Sequence, residues 1–520
     1  GLPASGATGL VVTVTEAGGG EILRYARPDT NPGRKEYTPF TRSLEKPQKT
    51  PEQMTVEELV LAARFKLKEL NSAAGLDLLN KALERDSGFS RAHLEYGIYH
   101  FNHYRYREAV KHLEQVIERD PYADEAYYYL SISQLRLGET AKAERNLYYI
   151  WPGSAHYSNR EYNLARIALG KSDLDEAVAH LRKAIEVDGR HLSARALLAA
   201  VSREREDRAG AVEQIEAIER MDPGNRIAQA ERWLLTGDER AGAELVRLMG
   251  GQSQEAIGTS SFYRDAGRWT AAAKILKLVE TNNADRWGTP PEFYYILAYC
   301  LHQSGSRLEA SHYLVKARSA AGNVDRFPYR ENSKPALEWA IAQDPRDALA
   351  LYLQGTLDYY LGRSGEGIRS WENAVRAKSD DFRSRRALGL AYAEQGRPVE
   401  TAAVQLEKAV ALNPDHVATL NDLSALYAKA GRFDEQLAVL QRALKRSPGD
   451  DNLAEGVLTA NLIKGHYDAA EQLVASHRFT PRHRSYGLRD KYRLLRYGLG
   501  GAAFRQGRYP EAIKQFEAAL

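Results

Sequence analysis

The feature that most constrains this chain is a spacing. Ala109, Ala143, Ala177 and Ala211 recur every 34 residues, with Leu113, Leu147, Leu181 and Ile215 four residues behind them. Gly97, Ser131, Ala165 and Ala199 lead the same alanines by twelve. Pro121 and Pro223 stand three periods apart, with Ala155 and Gly189 at the intermediate places. Such a period means like units stacked on their neighbours, because one unit alone cannot bury its apolar face. The length of 520 residues therefore sets no domain count.

Within a unit, apolar side chains three and four residues apart, as in Ala177, Leu181 and Ala184, share one helical face. Small residues suit a close crossing of two antiparallel helices, larger ones fill the space between units, and Pro or Gly ends the second helix. The pattern returns at Gly267-Arg268-Trp269 before Ala272 and Leu276, and at Gly305 before Ala310 and Leu314. It returns again at Gly355 before Trp371 and Ala374, and at Gly389 before Ala402, Leu406, Ala409 and Pro414. Further on come Gly431-Arg432-Phe433 with Leu440, Ala443 and Pro448, Gly465-His466-Tyr467 with Ala470, and Gly507-Arg508-Tyr509 with Ala512 and Phe516.

These motifs resemble the tetratricopeptide repeat family. The resemblance implies an all-α, right-handed superhelical solenoid of helix-turn-helix units. About 12 can be counted, beginning with a degenerate one near 57–88. The expected organisation is a β-hairpin over 1–27, a Pro-rich extended linker over 28–56, and repeat blocks over 57–225, 253–324 and 348–520. Irregular breaks are expected at 226–252 and 325–347, where the register slips and Pro328 and Pro335 appear. The hairpin rests on the alternation of Leu10 to Thr15, a turn at Gly18-Gly19-Gly20 and a return over Glu21 to Tyr25. A hairpin, a Pro-rich linker and then Glu57-Glu58-Leu59-Val60-Leu61-Ala62 is similar to a bacterial family of large proteins of unassigned function. In these a β-rich amino-terminal domain precedes a long repeat array, which would make 1–27 the tail of such a domain. Gly1 in place of Met, and a last helix reaching Leu520 without a capping helix, lead us to expect a chain cut at both ends.

Composition excludes several classes. Lys and Arg number 72 against 69 Asp and Glu, so no global field favours nucleic acid or an anionic membrane. Cys300 is the sole cysteine, which excludes an internal disulfide and a multi-thiolate metal site, and it reads as a structural helix residue. No run approaches the roughly 18 apolar residues of a membrane span, and no signal-peptide pattern is present. A soluble protein is expected, with cytoplasmic and exported locations in a bacterium both left open.

Signals for catalysis are weak, and neither a catalytic residue nor a cofactor is expected. Gly498-Leu499-Gly500 with Ala503 fits a dinucleotide fingerprint only on paper, since that loop needs a preceding strand. His100, His103 and His112 lie close in sequence without a carboxylate or thiolate to complete a metal set. A binding surface is the better expectation. The resemblance implies that the second, fifth, ninth and twelfth positions of each first helix line a concave groove. In successive units these are Arg91, Leu94, Ile98 and Phe101, then Glu125, Tyr128, Ile132 and Leu135, then Asn159, Tyr162 and Arg166. Tyrosines crowd this stretch and offer flat apolar area with a hydroxyl, suited to peptides and also to carbohydrate. Leu94, Tyr128 and Tyr162 stand where a carboxylate-clamping Lys would be wanted, so a chaperone-tail adaptor is disfavoured. A basic run, including Arg478, Arg482, Arg484, Arg489, Arg493 and Arg496, with Asp490 and interleaved tyrosines, could hold phosphates or carboxylates, or else form a solvated face paired with neighbouring acids.

The expected function is a non-catalytic scaffold that binds a protein or peptide partner on its concave surface. Two rivals remain: head-to-tail self-assembly into an oligomer or filament, and a substrate-positioning arm for a carbohydrate-related enzyme domain.

Overall fold

The computed structural model describes residues 11–15, 21–26, 49–285, 288–320, 327–480 and 486–520. The chain falls into two compact units, 1–92 and 93–520. In the first, β1 (Val11–Thr15) pairs antiparallel with β2 (Glu21–Ala26), Val12 facing Tyr25 and Val14 facing Leu23. Most of the expected linker, 28–48, lies outside the described residues. After it, α1 (Val56–Lys68) starts at Thr55, whose hydroxyl accepts from Glu58 N while Glu58 accepts from Thr55 N. It packs on α2 (Ser72–Arg85), burying Leu59, Ala63, Leu79 and Ala82 completely.

The described residues hold 27 α-helices, thirteen antiparallel pairs and one helix without a pair. A full-length pair is α7 (Tyr157–Gly170) with α8 (Leu174–Val187), followed by α9 (Leu192–Glu204) with α10 (Arg208–Met221). The 34-residue alanines Ala109, Ala143, Ala177 and Ala211 are all fully buried at these crossings. The turn inside each pair needs one residue in left-handed backbone. In the first block it falls on Leu70 (φ 60°), Tyr104 (57°), Gly138 (78°), Ser172 (63°) and Glu206 (62°), again 34 residues apart. Four of these five are not glycine, and each stores roughly 1 kcal/mol of strain. Later turns use Gly267, Gly305, Gly396, Gly431, Gly465 and Gly507.

The two expected breaks have definite structures. Residues 226–252 form a shortened pair, α11 (Arg226–Thr236) and α12 (Glu239–Leu248), which adds one to the pairs counted from the sequence. Gly237 ends α11 in left-handed backbone and Asp238 caps α12. Gly250 and Gly251, also left-handed, then redirect the chain into α13 (Ser253–Asp265) and α14 (Trp269–Thr281). The second break supplies the unpaired α17 (Lys334–Gln343), wedged against α15 (Pro291–Gln303) and α18 (Ala348–Tyr360). Pro335 stands in its first turn, where a missing N–H costs nothing.

The largest core cluster runs from α11 to α18, with Tyr263, Phe293 and Tyr295 fully buried. The Tyr295 hydroxyl donates to Asp347 at 2.8 Å, while Asp347 also caps α18 and receives Arg318 at 2.7 Å. Cys300 is buried here, and burial pushes its thiol up to about 12, so it stays an uncharged packing residue. No helix among the described residues is long and apolar enough to cross a membrane.

Candidate functional site

The expected groove residues are placed as follows. Arg91 is exposed on the first turn of α3 (Ser90–Asn102) and belongs to the first compact unit. Leu94 and Phe101 are half-buried against Ala109, Leu113 and Leu130, Phe101 meeting Tyr129 edge-on at 5.1 Å. On α5 (Asp124–Arg136), Tyr128 stacks on His156 with ring centres 4.6 Å apart, and Leu135 packs in the cluster of Tyr127 and Ile150. On α7, Tyr162 packs on the core of α7 to α9, and Arg166 donates to the Asp265 carbonyl at 3.1 and 2.9 Å.

Asp265 is the last residue of α13, and its side chain is held by Arg136 through two bonds of 3.2 Å. Burial resists ionisation of this carboxyl, but Arg136 and Arg166 outweigh it and hold it below the usual range. Phe262, one turn earlier, packs against the clusters of α7 to α10 together with Ala266. The chain's own α13 therefore covers the α7 part of the face that the sequence offers as a groove.

The same positions remain open in the last block. Counted from Gly355 and Gly389 they are Tyr352, Thr356 and Tyr359 on α18, and Arg383, Arg386 and Leu390 on α20 (Phe382–Glu394). All six line one cavity of 440 Å³, with Phe382, Trp371 and Glu394 at its margins. Its floor follows from a glycine crossing between α18 and α19 (Ser364–Ala377). A Cβ on Gly355 would stand 2.6 Å from Trp371 Cδ1 and 2.9 Å from the Gly367 carbonyl, so only glycine lets the indole seat there. Trp371 Nε1 in turn donates to the Tyr352 carbonyl at 3.1 Å and to Thr356 Oγ1 at 3.3 Å.

The walls are polar at defined points. The Tyr359 hydroxyl donates to Glu394; burial and that bond together push it up to about 12. Burial also raises Tyr352, whose ring lies 5.7 Å from the Arg383 guanidinium. Arg386 reaches Asp422 at 2.6 Å, Arg383 reaches Asp381 at 3.1 Å, and Leu390 is 40% exposed. An aromatic and aliphatic slot with two guanidiniums at its edge can hold an apolar side chain and orient a neighbouring carboxylate. The signal that names these residues was present in the sequence: the position rule applied to the first block also applies to the last.

In the basic run, Arg482 and Arg484 lie outside the described residues. On α26 (Tyr486–Arg505), Arg496 pairs with Glu471 and Gln515 at 2.8 Å, Lys491 with Glu455, and Arg493 approaches Asp490 at 4.0 Å. Arg489 is exposed beside an apolar cavity that includes Phe479 and Tyr492. Neighbouring helices thus supply the opposing acids. Gly498 and Gly500 are crossing residues, their missing Cβ places lying 2.1 Å from Tyr467 and 2.6 Å from Phe516. Among the described residues no group of three or more His, Cys, Asp or Glu could hold a metal ion.

A family model described as tetratricopeptide repeat matches residues 97–155, 162–226, 352–405, 399–451 and 464–520, more than half of the sequence. The chain belongs to the tetratricopeptide repeat family. Similar solved structures include one titled as the APC/C hetero-tetramer Cut9-Hcn1, at 14% identity over 89% of this chain and 86% of that one, with a TM-score of 0.30. Another is of Naa15/Naa10 bound to HypK-THB, at 15% identity over 82% and 74%, with a TM-score of 0.24. No curated protein matches the sequence. Tetratricopeptide arrays bind protein partners and are typically non-catalytic, and in that general sense this protein is an interaction scaffold.

Proposed function

We propose that the tetratricopeptide array captures an extended segment of a partner protein in the α18–α20 cavity, with an apolar side chain seated on Tyr352, Tyr359 and Leu390 and a carboxylate near Arg383 or Arg386. The observation that supports this reading is the 440 Å³ cavity itself, lined by equivalent positions of two successive first helices. A rigid aromatic surface loses little entropy on binding, and the peptide's acid would meet guanidiniums already oriented by Asp381 and Asp422.

A photo-crosslinking residue at Leu390 in the full chain should trap one defined partner segment, whose synthetic peptide should then bind the purified protein. Tyr352→Ala should weaken that peptide by roughly 1 to 3 kcal/mol, and Leu390→Glu should abolish binding with the helical content intact. Crosslinks scattered over unrelated sequences, or unchanged affinity in both variants, would overturn the proposal. Self-assembly and a carbohydrate arm gain no support from this site, whose lining is no closer to sugar recognition than to peptide recognition.

A further inference from the structure

The α18–α20 cavity is lined by three charged side chains, Arg383, Arg386 and Glu394. Each arginine already faces an aspartate, Arg383 with Asp381 at 3.1 Å and Arg386 with Asp422 at 2.6 Å. Glu394 has no cationic partner among the described residues. It accepts the Tyr359 hydroxyl on one oxygen, and among the described residues its other oxygen has no hydrogen bond. Glu394 is exposed and is the last residue of α20, at the negative end of the helix dipole, where a cation is favoured and an uncompensated anion is not.

The neighbouring ring points the same way. Tyr392 on α20 and Tyr427 one unit later also bond glutamates, Glu372 and Glu407. Each of those rings lies under a guanidinium, Arg397 at 4.1 Å and Arg432 at 4.7 Å. No cation lies over Tyr359 among the described residues, and its ring is backed by Trp371, with ring centres 5.1 Å apart. A fixed aromatic face beside an unpaired carboxylate attracts a cation through both the ring quadrupole and the charge.

We infer that the partner segment presents a lysine to Glu394, two residues from the apolar side chain seated on Leu390. This rests on the proposed capture of an extended segment in the same cavity. Glu394 follows Leu390 by four residues of α20, about 6 Å along the helix, and two residues of extended chain span about 7 Å with both side chains on one face. Arg386 precedes Leu390 by the same four residues, so the partner's acid falls two residues to the other side. The occupant is an acid-x-apolar-x-lysine segment, in either chain direction. Lysine fits better than arginine, because the Tyr359 hydroxyl takes one carboxylate oxygen and leaves no pair of oxygens for a forked guanidinium. Its methylene stem can lie along the Tyr359 ring while the ammonium meets the carboxylate.

A library of randomised octapeptides on beads, probed with the purified full chain, tests the two readings separately. Peptides retained by the wild type but not by Leu390→Glu should share an apolar residue with a lysine two positions away. One such peptide should bind about tenfold more tightly than its norleucine analogue, which keeps the stem and removes the charge. In Glu394→Gln, which preserves an acceptor for the Tyr359 hydroxyl, the two peptides should bind alike, so the cycle isolates the contact between lysine and Glu394. Retention of no Leu390-dependent peptide would overturn the capture reading and this inference with it. Leu390-dependent peptides that lack the lysine, or a tenfold lysine preference that persists in Glu394→Gln, would overturn the inference alone.

Discussion

The first and last repeat blocks offer the same groove positions to opposite ends. Tyr162 and Arg166 on α7 occupy the places that Tyr352 and Thr356 occupy on α18, three residues before and one after the small crossing residue, Ala165 or Gly355. In the first block these side chains are consumed by α13, whose last carbonyl accepts from Nε and Nη2 of Arg166. In the last block the same face borders an open cavity. The cause lies between them. The pair α11 and α12 has 11 and 10 residues against the 13 or 14 of its neighbours, and two left-handed glycines follow it. After α20 the stack continues with full-length helices at Val417–Lys429 and Phe433–Arg446. A repeat position therefore decides which face a side chain presents, and a non-local contact decides whether that face is vacant.

The strongest way to break the comparison is to remove the floor of the open site. In Gly355→Val the new Cβ meets the backbone carbonyl of Gly367, which cannot move aside as a side chain could. We expect a loss of about 3 kcal/mol in urea denaturation, confined to the last block. Since neighbouring repeats stabilise one another only locally, the transition should split in two. A single transition with an unmoved midpoint would show that the α18–α19 crossing is not so tight.

A smaller effect should come from the filled site. Phe262→Ala removes the ring that α13 lays against α7 to α10, half-buried rather than core, so about 2 kcal/mol is expected. Partner-peptide affinity should be unchanged, whereas Tyr352→Ala should shift affinity more than stability. If Phe262→Ala leaves the urea midpoint in place, α13 does not hold this face closed and the contrast between the blocks dissolves.

Much of this was legible in the sequence, and the failures have physical reasons. The helix pairs follow from Ala109, Ala143, Ala177 and Ala211 because a crossing tolerates only small side chains, a local requirement that leaves a periodic trace. The turns were legible where glycine fills them. At Tyr104, Ser172 and Glu206 packing imposes left-handed backbone on residues that do not favour it, and no composition signal remains. The slipped register at 226–252 falls on a shortened helix pair, whose first cap, Asn225, keeps the period after His191 while its second, Asp238, comes three residues before the place 34 after Asp207. Tyr162 and Arg166 are expected in the groove, yet nothing connects them in sequence with Asp265, 99 residues from Arg166. The open groove needed only the first-block rule carried to Gly355 and Gly389.

The smallest expected effect concerns acid and the first block alone. His112 accepts or donates one Nδ1 bond of 2.9 Å with His93 and has the rings of Tyr96, at 4.8 Å, and His100, at 5.5 Å, beside it. Burial, and then the neighbouring His93 and His100, push its imidazole down to about 4. An unfolded histidine titrates near 6.5, so between about pH 6.5 and 4 the unfolded chain binds the extra proton and stability falls as pH falls. Below about 4 this group costs nothing further. Between pH 7 and 5 most carboxylates stay ionised, which isolates the histidines. His100 and His191, both lowered by burial, contribute slopes of the same sign. His112→Gln keeps a hydrogen-bonding partner for His93 and removes one titration. Allowing for screening at a half-exposed ring, the wild type should lose on the order of 1 kcal/mol more than this variant over that range. Parallel pH dependences would mean that the His93, His100 and His112 cluster opens before it titrates, making the first block the looser of the two despite its filled groove.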